Sequence, residues 1–581
     1  MKKFLLLSIL SSQVLAQNSF TIRSERIVLP GEAATSAISS FTQDDQAQGA
    51  SLLGNLELFT PGFATSSNGT FGASQSVFLR GTARGFSQTY FDGLQLRDAS
   101  DIDQSFQAQL LPSSFVGSGE VMRGIQSGLY GADAVGGVIN LTPSERASFI
   151  EARAGSYDQF DLAGGAKLSK TKFLIDYSSA KGPSAFNRHK TSFAEKDPYH
   201  SLSGYMAHHE SYKKHRFYVK ALFLEHEQEI DGGYPFGDLH NNDKSAQSHR
   251  IVATGVEKKK GGPLTYKLQL QHTDIEREIL DTTYQGKSEN INLEMGYLFS
   301  RYVNTLFFAD FLHDKADIEN EFSNKTIDNG SIGISAHENF GDAFFSQTAR
   351  VDHHSRFGTK ATYRLAIGYH LSKRLTMRAS YATGFKAPTL YQLYTKLGGN
   401  SALSPTDAKG YDLGLHYKLL NSQLELNYFK TNLESQIDYD LQRSAYFNIA
   451  KSSLRGVELS YTQSFASRWS TKINATRLWS ENVLTGERLL SRPDLTLALQ
   501  LRFAASKKHQ FSLLGYYKGE RDDLTGVLPY YFTLGLTGDH QIAQDLKSYW
   551  LIRNILNRHY EDVRDYGTYE RSLVIGIRKS L

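Results

Sequence analysis

Arginine stands before glycine three times in the N-terminal quarter of the chain, at Arg80, Arg84 and Arg123. Arg80-Gly81 and Arg123-Gly124 lie in segments that are otherwise apolar and turn-rich, SVFLRGTARG and VMRGIQSGLYG. A guanidinium buried in such a setting has to be paired, because an uncompensated charge away from water is costly. A second concentration of polar chemistry is DGGYPFGDLHNND, from Asp231 to Asp243. There Asp231, Asp238, Asn241 and Asp243 offer the hard oxygen ligands that Ca2+ takes, at a spacing unlike that of an EF-hand. A solvated loop is the plainer reading of the same residues. The 18 histidines offer less, since His208-His209 and His353-His354 are adjacent and in extended chain point to opposite faces. No spacing reads as a catalytic triad or a zinc site. Gly93, Gly131, Gly136 and Gly137 suit turns and close chain approach, and neither Gly-x-Gly-x-x-Gly after a strand nor Gly-Lys-Ser/Thr is present to cradle phosphate.

The elements that would position these residues fall into two textures. From Pro143 onward, segments of about ten residues alternate in period two, as in FYVKALFLE (Phe217 to Glu225), LTYKLQLQH (Leu264 to His272), LTMRASYAT (Leu375 to Thr383), QLELNYF (Gln423 to Phe429) and YFTLGLT (Tyr531 to Thr537). Short turns such as Ser211 to His215 and Ser372 to Arg374 take turns with longer polar loops. The pattern predicts about 22 strands. No run approaches the roughly 18 apolar residues of a membrane helix, and mean hydropathy is −0.40. A closed barrel is the one sheet that leaves no unpaired edge in lipid. Aromatic pairs near strand ends, Tyr428-Phe429, Tyr446-Phe447 and Tyr530-Tyr531, are expected in the girdles at the membrane surfaces. The chain has no cysteine, which excludes disulfides and thiolate metal sites, and a net charge of +4 gives no strong field for nucleic acid. Residues 1–16 read as a signal peptide with a basic start and a short apolar run. Residues 17–48 form a polar leader and the start of a compact domain, 49–143 that domain itself, and 144–581 the strand-rich remainder.

Motif order extends this reading. Arg80-Gly81, Asp92-Gly93, Arg123-Gly124 and the run from Tyr130 to Asn140 (YGADAVGGVIN) follow one another in an order that resembles the plug domain of TonB-dependent outer-membrane receptors. YATGFKAPTLYQLY (Tyr381 to Tyr394) with GNSAL (Gly399 to Leu403), YFNIAKSSLRGVEL (Tyr446 to Leu459) and NILNRHYEDVRDYGTY (Asn554 to Tyr569) resemble signatures of their barrels, in wording nearest the cobalamin receptor branch. Two departures stand out: the chain given ends in Leu581 where such barrels usually end in Phe, and Tyr411-Asp412-Leu413-Gly414 carries Asp where the family usually has Glu.

The resemblance implies an all-β membrane protein: a transmembrane β-barrel of about 22 strands with an N-terminal plug in its lumen. It implies an outer-membrane monomer, surrounded by lipid and lipopolysaccharide, that is not an enzyme and needs no resident cofactor. It would import a scarce ligand, cobalamin or a related corrinoid, with a ferric siderophore as the alternative. Haem is disfavoured because Thr389 to Gly399 has no histidine, and a passive porin because the plug would close the lumen. The implied partners are TonB with ExbB and ExbD, and Ser19, Phe20, Thr21, Ile22, Arg23 and Ser24 would pair with TonB as a strand. Arg80 and Arg123 would meet the wall carboxylates Glu458 and Asp412 as a plug–barrel ionic lock, with the shorter Asp412 at a looser or water-bridged distance. Calcium ordering of outer loops in some cobalamin receptors would draw Asp197 into the set of Asp231, Asp238, Asn241 and Asp243.

Overall fold

The computed structural model describes residues 21–22, 29–30, 34–69, 71–146, 148–187, 189–190, 196–230, 243–258 and 262–581. Alternation builds its largest element. In Ala343–His354 (AFFSQTARVDHH), Phe344, Ser346, Thr348, Arg350, Asp352 and His354 are buried, while Val351 between them is exposed. Polar side chains thus face inward and apolar ones outward, the reverse of a water-soluble sheet and the arrangement a lipid-embedded wall requires. The pattern recurs through 22 antiparallel strands that close into a barrel, the first strand (Phe149–Gly155) pairing with the last (Ser572–Ser580). No helix among the described residues is long and apolar enough to cross a membrane.

Each of the five segments singled out above lies within a barrel strand, but the strands run on further. Ser422–Asp440 has 19 residues and Ala445–Phe465 has 21, against the roughly 9–11 needed to cross a bilayer at a tilt. The excess carries hairpins past the membrane on the side away from the short turns at 213–214, 373–374 and 419–421. Several outer connections are therefore themselves tight (280–281, 319–321, 355–357), and only some, such as 181–198, 387–405 and 554–571, are long. The expected alternation of short turns with longer outer loops holds only for some hairpins, because strand pairing continues in water wherever cross-strand partners remain. The aromatic girdle expectation also needs correction. Neighbouring strand residues face opposite ways, so Tyr530 is exposed whereas Tyr531 is buried, and Phe429 is fully buried inside the lumen.

The lumen holds a mixed five-stranded sheet, in the order Ala37–Thr42, Val116–Arg123, Gly137–Pro143, Ser87–Phe91 and Leu94–Leu96, with a separate hairpin of Phe63–Ser67 and Gln75–Leu79. Its edge strand lies within the 17–48 leader segment, so the compact domain starts well before residue 49. Ser51 caps the helix Leu52–Phe59, its hydroxyl accepting from the Gly54 N–H at 3.1 Å. Leu53, Leu56 and Phe59 of that helix join Phe91 and Phe115 of the plug in a core that continues into Phe149, Leu222, Ile251 and Leu514 of the wall. Plug and wall therefore share apolar packing as well as ion pairs.

Candidate functional site

The hairpin strand Gln75–Leu79 ends at Arg80, whose backbone is left-handed (φ +55°) and whose N–H donates to the Gly62 carbonyl at 2.6 Å. This turn aims the guanidinium at the wall. Its Nε and Nη2 donate to Glu458 Oε1 and Oε2 at 2.9 and 2.8 Å, and its Nη1 pairs with Asp412. The guanidinium carbon lies 4.5 Å from the centre of the Phe429 ring. Arg123, at the end of the strand Val116–Arg123, donates from Nη1 to the same Glu458 Oε2 at 2.5 Å, and from Nη2 to Glu425 Oε1 at 3.3 Å. Glu458 is 0 % exposed, Arg123 1 % and Arg80 3 %. One dry carboxylate thus clamps two guanidiniums from different plug strands, and the second carboxylates, Asp412 and Glu425, balance the charge.

The wall register explains the geometry. Asp412 sits opposite Phe429, and Phe429 opposite Gly456. Gly456 leaves the space that the Phe429 ring fills, since a β-carbon there would lie 2.6 Å from the ring. Glu458, two residues along, shares the lumen face. On the plug side Gly62 (φ +76°) is the close approach, because a β-carbon there would collide with Glu458 Oε1. The contact of Asp412 is a direct ion pair, neither loose nor water-bridged. The positive-φ turn advances Arg80 toward the wall and offsets the missing methylene.

Glu425, Phe429 and Arg378 were missed in the sequence. The strand parity of QLELNYF carries the signal for the first two, because Glu425, Asn427 and Phe429 fall on one face with the lumen. Arg378 links the lock to the leader: its Nη2 donates to Glu425 Oε1 at 2.9 Å and its Nη1 to the Ser36 carbonyl at 2.7 Å. Arg364 holds the preceding residue, donating to Thr35 Oγ1 and the Thr35 carbonyl, both at 3.1 Å. In the plug sheet Ala37 is the register partner of Arg123.

The remaining expected site residues fare differently. Of the leader segment, Thr21–Ile22 pairs antiparallel with Leu29–Pro30, while Ser19, Phe20, Arg23 and Ser24 lie outside the described residues. So do Asp231, Asp238 and Asn241. Asp243 opens the strand Asp243–Lys258 opposite Ile230. Asp197 is buried, and its carboxylate accepts from the Ala185 N–H within its own connection.

At the outer side of the plug, a cavity of about 280 Å³ is lined by Phe71, Arg84, Arg277, Tyr284, Tyr391 and Tyr566 among others. Phe71 projects from the plug into aromatic neighbours, its ring 5.1 Å from Tyr569, 6.2 Å from Tyr157 and 6.4 Å from Tyr199. Arg84 pairs with Asp101, and Arg277 with Asp98 at 2.8 Å. Burial pushes the Asp101 carboxyl up, but Arg84 and then Arg277 outweigh it and hold the group down at about 2. A larger polar cavity of about 820 Å³ follows the seam between plug and wall, from Arg216 and Lys258 beside the short turns to Pro388 at the start of a long outer connection.

Residues 156–555 match the family described as TonB dependent receptor-like, beta-barrel, and residues 30–138 match the TonB-dependent Receptor Plug Domain. The chain belongs to the TonB-dependent receptors. As a TonB-dependent receptor it is an outer-membrane protein, in a family of small-molecule receptors and transporters that work with TonB. It is 24 % identical to the vitamin B12 transporter BtuB of Vibrio cholerae over 97 % of this chain and 95 % of that one. In fold the receptor is similar to the siderophore receptor PirA of Acinetobacter baumannii, with a TM-score of 0.80 at 14 % identity over 94 % of this chain and 98 % of PirA. It is equally similar to the ferric enterobactin receptor PfeA of Pseudomonas aeruginosa, with a TM-score of 0.80 at 16 % identity over 97 % of this chain and 100 % of PfeA.

Proposed function

We propose that this receptor captures a corrinoid of the cobalamin type at its outer face and passes it to the periplasm with energy delivered by TonB, ExbB and ExbD. The observation that carries the energised reading is the Glu458 clamp: two plug strands are tied to the wall through one dry carboxylate, so passage needs work on the plug. Nanomolar capture corresponds to about −12 kcal/mol, and a proton crossing an inner membrane at about 180 mV supplies roughly 4 kcal/mol. Several such events, relayed through TonB, suffice to release the ligand. TonB pairs with Ser19 to Ser24 by strand addition. Pull on the leader reaches Thr35 and Ser36, then Arg378 and Glu425, and then Arg123. The polar seam cavity is the route that opens once the lock yields. The receptor works as a monomer in lipid and lipopolysaccharide, and Asp231, Asp238, Asn241 and Asp243 hold Ca2+ that orders their loop.

The corrinoid is supported by near full-length similarity to a vitamin B12 transporter and by the barrel signatures. A ferric siderophore is the second reading, supported by the fold likeness to PirA and PfeA. Equilibrium binding of labelled cyanocobalamin to outer membranes carrying this receptor, with and without calcium, separates the two. Saturable nanomolar binding is expected, strengthened by calcium. No cyanocobalamin binding, with saturable binding of a ferric chelate, would replace the first reading by the second.

A further inference from the structure

We propose that His189, His559 and Glu570 form a divalent transition-metal site of the Zn2+ class on the outer face, joining connection 181–198 to connection 554–571. His189 Nε2 lies 2.8 Å from Glu570 Oε1, His559 Nδ1 lies 3.6 Å from the same oxygen, and the imidazole centres are 3.9 Å apart. Ligating atoms of all three fall within 4.8 Å of one another. With metal bonds of about 2.0–2.2 Å, tetrahedral ligands stand roughly 3.3–3.5 Å apart, and the two nitrogen-to-carboxylate separations, 2.8 and 3.6 Å, lie to either side of that.

The backbone is already arranged for this. Gly567 N–H donates to the Ala185 carbonyl and Asn187 N–H to the Asp565 carbonyl, both at 2.7 Å, and Phe186 and Tyr566 form a β-bridge. Lys190 pairs with Glu561 and Asp565, each at 2.8 Å, which ties the two connections together beside the histidines. An ion arriving here orders little further chain. Two imidazoles and one carboxylate are the donor set of three-ligand zinc sites, with the fourth position left to water or an incoming donor. The two histidine side chains are 47 % and 52 % exposed, so that position faces the medium. Ca2+, which takes six to eight oxygens, suits this set poorly. The site lies on the connections whose Tyr566 and Tyr569 reach the cavity lining and the Phe71 tip of the plug, so the metal fixes the rim of the ligand chamber.

The test uses purified full-length receptor in detergent, stripped with chelator and titrated with Zn2+ by calorimetry and with Co2+ by visible absorption, in the absence of any transported ligand. One Zn2+ per chain is expected, with tetrahedral Co2+ bands and no displacement by excess Ca2+. His559→Ala and Glu570→Gln should each weaken binding at least roughly tenfold. His509→Ala, which removes one ring of a histidine pair with Nδ1 atoms 3.0 Å apart beside a short turn, should leave binding unchanged. Retained heat-modifiable migration on gels shows that each variant is folded. Zn2+ binding that is absent, that survives in the double variant His189→Ala/His559→Ala, or that Ca2+ displaces would overturn the assignment and leave an ordinary exposed ion pair.

Discussion

Glu458 is the residue on which the plug–wall contact turns. A buried charge pair is weak evidence of net stability, but removing one member strands the other at a cost of about 3–5 kcal/mol. Here the loss of one carboxylate strands parts of two guanidiniums, since Asp412 and Glu425 each reach only one of them. Glu458→Ala should therefore loosen the plug more than Asp412→Ala, and Arg80→Ala/Arg123→Ala should raise entry of large antibiotics. Equal antibiotic sensitivity in all of these variants and the parent would remove the lock from the account. Asp101 supports a second expectation. Its carboxyl is held below the ordinary 3.8, at about 2, so the stability it contributes is complete above pH ~4 and is lost as pH falls through about 2. The cysteine-free chain allows a single spin label at Ile102→Cys, which is exposed beside this pair. Its line shape should hold from pH 7 to about 4 and sharpen near 2; a transition near pH 5 would point to a different group. Arg80, Arg123, Asp412 and Glu458 could be placed together from motif order. Glu425 and Arg378 could not, because no motif names them and only strand register brings them to Arg123. The His189–His559 pair was invisible for a related reason: the two residues stand on connections 370 positions apart, and no sequence spacing joins them.

The barrel strands were legible because a wall between lipid and a polar lumen imposes period two on side chains, and that parity survives any error in strand ends. Strand length was not legible. It depends on how far cross-strand bonds persist in water beyond the bilayer, which is why Ala445–Phe465 runs to 21 residues. The edge strand Ala37–Thr42 was hidden for the opposite reason: AISSFT lies in a polar leader, and only its pairing with Val116–Arg123 makes it a strand. That pairing matters for transmission, because the leader is joined to Arg123 twice, once through the Ala37 register and once through Ser36, Arg378 and Glu425. Deleting residues 17–26 should abolish uptake while outer-face binding persists, since the deletion spares Thr35 and Ser36 and their bonds to Arg364 and Arg378. Arg378→Ala should keep binding and slow uptake, by uncoupling one of the two links. Uptake that continues after the deletion would place TonB engagement elsewhere.

At the scale of the whole molecule, a plug precedes a barrel whose outward face is apolar and whose inward face is polar. The 22-strand closure, the plug and the membrane location were all legible, because they follow from composition limits, parity and motif order over nearly the full chain. The ligand was not, since the outer connections obey no period from which a binding preference could be read. The closing seam has a further consequence, for assembly. Phe149–Gly155 meets Ser572–Ser580, the pairing of greatest sequence separation in the wall, and such contacts form late because loop closure must come first. The plug lies immediately before one side of this seam and shares its core with Phe149. Because Phe149 at the seam also packs in the plug core, plug docking and seam closure are expected to be coupled. Protease protection of the plug and heat-resistant gel migration should therefore appear together during refolding into vesicles, and a plug still cleavable after the barrel becomes heat-resistant would contradict this coupling. The seam is thus a checkpoint in biogenesis, where one residue, Phe149, answers both to the closing wall and to the docked plug.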